Sequence, residues 1–135
     1  MSNSLFDGGR EAFLGGDADW DANTIKLVCV DHADDTPNVT TDDNLDDILA
    51  AARVATSGAF TSKTKTAGVA DAADVVLTTV TGDQFESIVI YKDTGTESTS
   101  LLLVFIDTAT GLPCTPNGAN ITVAWDSGAN KIFRL

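Results

Sequence analysis

Residues 86–106 read ESIVIYKDTGTESTSLLLVFI. Two β-rich runs, 86–92 (ESIVIYK) and 98–106 (STSLLLVFI), flank the loop Asp93-Thr94-Gly95-Thr96-Glu97. Branched and aromatic residues on both sides of a Gly-containing loop predict an antiparallel hairpin. Leu101 to Ile106 is apolar without interruption. A strand of that kind is covered on both faces, so it belongs in the middle of the domain.

Working outward, the same grammar repeats. Upstream, 73–81 (ADVVLTTVT) ends at the Gly82-Asp83 turn, and RVAT and AFTSKTKT are strand candidates around Gly58. Residues 24–31 (TIKLVCVD) alternate Ile25, Leu27 and Cys29 with Lys26, Val28 and Val30. Downstream, the loop 107–119 carries Pro113, Pro116 and Asn117-Gly118, a turn signal. Residues 120–126 then alternate Ile121, Val123 and Trp125 with polar or small neighbours, and Lys131 to Leu135 make a last strand. Two short helices are predicted. One covers 4–14, capped by Ser4, stopped by Gly15-Gly16 and weakened by Gly8 and Gly9. The other covers 43–52, where Leu45, Ile48, Leu49 and Ala52 form one stripe behind a cap at Asp42 or Asp43. The predicted fold is mainly β, an antiparallel sandwich or barrel of about eight short strands with one or two short helices. It is a single β domain over residues 1–135, with 1–16 as a docking arm that orders when it binds.

Composition agrees. A chain of 135 residues suits one domain. The 17 Asp against 3 Glu, with 18 Thr and 11 Gly, favour turns, caps and strands over helix interiors. The net charge of −12 repels phosphate backbones and anionic lipid, which argues against nucleic-acid or membrane partners. No run approaches the roughly 18–20 apolar residues of a membrane span, and the start lacks the pattern of a secretory signal. Cys29 and Cys114 are expected as free thiols.

Motifs that could carry chemistry are few. Asp93-Thr94-Gly95 resembles the catalytic triplet of retroviral-type aspartic proteases, dimers in which two carboxylates share one proton. Lys92 stands where that motif has an apolar residue, and Thr96 where it has Ala or Ser. Asp107-Thr108-Ala109 has the apolar lead-in Phe105-Ile106 but no Gly. A dimeric protease using Asp93 is therefore the remote alternative, and the chain is read as a non-enzyme with no cofactor. Asp17, Asp19 and Asp21 open like a calcium loop, yet Ala22 and Val28 occupy the positions that need Gly and Glu. His32 lies among Asp31, Asp34 and Asp35, one imidazole where zinc sites recruit several His or Cys. No metal is expected. Lys63 and Lys65 alternate with Thr, either as a charged edge that blocks aggregation or as a basic strip facing an acidic partner.

Four stretches taken together carry a resemblance: LFDGGREAFLGGDADWDANTIKLVCVD, AARVATSGAFTSKT, VIYKDTGTESTSLLLVFIDTATGLPCTPNGANITVAW and GANKIFRL. Together they cover most of the chain, and IDTATGLPCTPNG and NKIFRL are the most specific pieces. The chain resembles a family of small bacteriophage virion proteins encoded among the head genes, of the head decoration (cement) kind. The resemblance implies a structural protein made in the host cytoplasm and carried on the capsid exterior. Its partner would be the major capsid protein, and it would form a homo-oligomer, with a trimer favoured. A tail or head-tail connector component is the alternative. The resemblance transfers no catalytic residue. Such proteins often hold on through a terminal arm, which makes Phe6, Arg10 and Phe13 the candidate docking contacts.

Overall fold

The computed structural model describes residues 3–135, and its fold is mainly β. Nine strands run in three antiparallel sheets. They are β1 (Ser4–Leu5), β2 (Ile25–Val30), β3 (Arg53–Thr56), β4 (Val69–Ala70), β5 (Val75–Leu77), β6 (Ser87–Lys92), β7 (Leu102–Ile106), β8 (Ile121–Val123) and β9 (Phe133–Arg134). The central sheet has the order β1-β7-β6-β2-β3, while β4 pairs with β9 and β5 with β8. The hairpin that decided the fold is β6–β7, in register from Ile88 opposite Ile106 to Tyr91 opposite Leu102.

Period-two alternation divides the core. Ile25, Leu27, Cys29, Ile88 and Ile90 point to one face of the central sheet, where Ala70 of β4 and Val75 and Leu77 of β5 join Trp20, Phe60 and Phe85. Val28, Val30, Val89 and Tyr91 point to the other, where Phe6, Leu45, Ile48 and Ala52 cover them. Leu102 to Phe105 are all buried, as a strand covered on both faces requires. Each large side chain removed from water in this way contributes about 1.5–3 kcal/mol.

The predicted N-terminal helix starts late. Ser4 and Leu5 are strand, pairing with Phe105 and Val104, and α1 runs Asp7–Gly15. Gly16, at φ 82°, ends it in the left-handed conformation that glycine adopts without a Cβ clash. Gly9 has a packing role as well. A Cβ there would lie 2.8 Å from the Leu102 carbonyl oxygen and 2.9 Å from Leu103 Cα, so the helix rests directly on the backbone of β7.

The predicted helix 43–52 is replaced by two single 3-10 turns, Leu45–Asp47 and Ala50–Ala52. The carbonyls an α-helix would use are taken. Arg53 donates from Nε to Ile48 O at 2.9 Å and from Nη2 to Leu45 O at 2.9 Å, while its Nη1 meets Glu97 at 2.7 Å. The Leu49 N–H turns instead to the Asp35 carboxylate at 2.8 Å. Leu45, Ile48 and Ala52 are buried as expected, but Leu49 is 57% exposed. The N-cap is Asn44, and the Asp47 carboxylate accepts the Asn44 N–H, so neither Asp42 nor Asp43 caps the segment. AFTSKTKT is not a strand either. Ser62 at φ 53° and Ala67 at φ 58° turn the chain, leaving only a single bridge between Thr64 and Asp71.

Candidate functional site

The site is an open cleft of about 1000 Å³ between the two ends of the chain. β1 and the start of α1 line one part, the end of β7 and its following loop another, and β8, β9 and the turn between them the rest. Its apolar lining comes from Ile88, Val104 and Ile106 of the central hairpin and from Val123, Trp125 and Ile132. Alternation explains the β8 contribution: Val123 and Trp125 are half-buried while Thr122 and Ala124 are exposed. Trp125 is fixed by two bonds, its backbone N–H to Asp74 Oδ1 and its indole N–H to the Ala73 carbonyl, both 3.1 Å. Among the described residues β1, β8 and β9 each pair with one strand only, so three unpartnered strand edges belong to elements that line the cleft.

Charge distinguishes this surface from the rest. Arg10, Lys131 and Arg134, three of the eight Lys and Arg residues, line it alongside one acidic residue, Asp126. Arg10 is bound to Asp7 at 2.7 Å, and Lys131 donates to the Ser127 carbonyl at 3.3 Å. Arg134 is exposed and makes no ion pair among the described residues. Lys131 holds φ at 47°, a region that costs a residue with a side chain about 1–3 kcal/mol.

The docking-arm expectation for 1–16 is corrected for residues 3–16; residues 1 and 2 lie outside the described residues. Phe6 is fully buried, packed edge-on against Phe105 with centroids 6.3 Å apart, and its N–H donates to Leu103 O at 3.0 Å. It is therefore core and not an anchor for a partner. Phe13 is half-buried against Phe133, centroids 5.7 Å apart. Of the three, Arg10 alone is exposed at the cleft.

Both lysines of the expected basic strip turn towards the chain itself. Lys63 donates to the Asn23 carbonyl and Lys65 pairs with Asp21 at 3.2 Å, so both serve the acidic turn before β2. In that turn Asp19 Oδ1 accepts the N–H groups of Asp21 and Ala22 at 3.0 and 3.1 Å. Those bonds, the Ala22 one foremost, hold the Asp19 carboxyl below its ordinary value.

Asp93 of the protease-like triplet binds Lys26 Nζ at 2.7 Å and accepts the Gly95 N–H at 3.0 Å. The Lys26 bond first, and then the Gly95 bond, lower its pKa. A carboxylate held ionised by a cation cannot share a proton with a twin. His32 points away from the acids beside it, meeting Ser87 Oγ at 2.8 Å and stacking on Phe105. Asp31 and Asp34 instead gather with Asp83, with ligand oxygens within 4.8 Å of one another. Three carboxylates are hard donors suited to a divalent cation, but calcium takes six to eight oxygens.

No known protein family and no curated protein matches the chain.

Proposed function

We propose that the chain is a structural virion protein, a decoration (cement) protein that binds the outer face of a phage head and ties neighbouring capsid subunits together. It acts there as a homo-oligomer, with a trimer favoured. The observation that carries the reading is the cleft: an apolar, cation-lined surface with unpartnered strand edges, on a chain whose net charge is −12. The resemblance to small head proteins names the partner class, and an acidic exterior does not attract packaged DNA. Docking would oppose internal pressure by adding buried area across subunit joints. The test mixes the purified protein with expanded, undecorated heads and sediments them. Saturation at a fixed number of copies per head is expected. Absence from heads, with antibody label on tails, would replace this reading with a tail or connector component.

A further inference from the structure

We propose that the cleft is filled by an extended segment of a different protein in which apolar and acidic residues alternate. Three features of the site specify that chemistry. Among the described residues β1, β8 and β9 each have an edge without a strand partner, and such edges take up an extended chain through backbone hydrogen bonds. An added strand presents alternate side chains to opposite sides. Apolar ones would meet Val104, Val123 and Trp125, and acidic ones would lie near Lys131 and Arg134. Arg134 is exposed and without an ion pair among the described residues, and Lys131 keeps its position despite a left-handed backbone that a glycine would adopt at lower cost.

A second copy of the chain is a poor donor of such a segment. The apolar strands are already paired within the sheets. The Asp-rich stretches are folded back on themselves: Asp42 accepts the Asn38 N–H, Asp47 the Asp43 N–H and Asp35 the Leu49 N–H, each at 2.8 Å. Freeing any of them would break bonds that hold its own turn. The occupant therefore comes from another protein. This inference rests on the docking role of the cleft but not on the capsid as its location.

The test uses the full chain and a labelled peptide, acetyl-(Val-Asp)5-amide, with acetyl-(Val-Lys)5-amide as control, followed by fluorescence anisotropy and amide hydrogen exchange. Saturable binding of the acidic peptide is expected, with protection at 121–125 and 131–134. Binding should weaken about tenfold or more in K131E/R134E, as loss of two complementary charges predicts. Lys131→Gly, which relieves the backbone while removing one cation, should stay folded and still bind more weakly. No saturable binding, equal binding of the cationic peptide, or protection elsewhere would overturn the proposal. So would self-association in the ultracentrifuge that K131E/R134E abolishes, because the occupant would then be a second copy. If the peptide fails while heads still co-sediment, the cleft assignment falls and the decoration role stands. Peptide binding without co-sedimentation has the reverse meaning.

Discussion

Lys26 Nζ lies 2.7 Å from the Asp93 carboxylate, joining β2 to the loop that follows β6. Both side chains are partly shielded from water, which puts the pair at the upper end of the range for surface ion pairs, about 1 kcal/mol. The folded pKa of Asp93 is depressed, so this stabilisation is complete above the ordinary value of 3.8 and is lost as pH falls through the lower folded value. Urea titrations of wild type and D93N should therefore differ by about 1 kcal/mol at neutral pH. The gap should close as pH drops below 3.8. A gap that persists at low pH would show that Asp93 acts through something other than its charge.

Phe6 supplies a second prediction, because it was expected on a detachable arm and is found in the core. Phe6→Ala should destabilise the domain by about 3–5 kcal/mol, the cost of emptying a buried aromatic site. Removing residues 1–16 should abolish the cooperative unfolding transition and the near-ultraviolet circular dichroism. A truncated chain that keeps both would restore the arm.

Gly9 inverts the usual helix rule. Alanine is favoured over glycine in a helix by about 1 kcal/mol. Here the added methyl meets the Leu102 and Leu103 backbone, which cannot move aside as a flexible side chain can. Gly9→Ala should lose about 1–3 kcal/mol in chemical denaturation, the usual cost of overpacking. Gly15→Ala, whose new Cβ would meet nothing closer than Asp17 Oδ2 at 3.6 Å, should be neutral or stabilising.

The cysteines should differ in reactivity. Burial first, and then the neighbouring Cys114, push the Cys29 thiol up to about 12. Thiolate is the reactive form, so Cys29 should resist a disulfide reagent in the native protein. Half-buried Cys114 should be the thiol that reacts, and guanidinium should release the second. Equal labelling of both in the native state would contradict the burial of Cys29.

The sequence was legible where one short-range pattern dominated. Alternation marked β2 and β8, and the apolar run marked β7. The 43–52 error has a physical source: a 3-10 turn buries residues three apart, so Leu45 and Ile48 satisfy it as well as they satisfy an α-helix. What separates the two is the Arg53 guanidinium and the Asp35 carboxylate taking the backbone groups, a tertiary effect. β1 and β4, two residues each, have no periodicity to read and exist through their partners. The cleft was illegible for the same reason. Its lining draws on Ser4, Leu5 and Arg10, on the end of β7 and on residues between Val123 and Leu135, and no local pattern announces that these meet. Its one readable trace was Arg10, selected for a different reason.

Asn3 ties the start of the described chain to the loop after β7, with its side chain accepting the Asp107 and Thr108 N–H groups and donating to the Thr108 carbonyl, 105 positions away. β1 closes against β7 beside that tie. During synthesis β1 leaves the ribosome well before β7 and finds no partner until that strand has followed. The sheet edge is completed late, and until then Leu5 and Phe6 stand in water as a sticky segment. Slow elongation or a stalled ribosome would prolong that exposure, which makes this segment a place where a chaperone would engage the nascent chain.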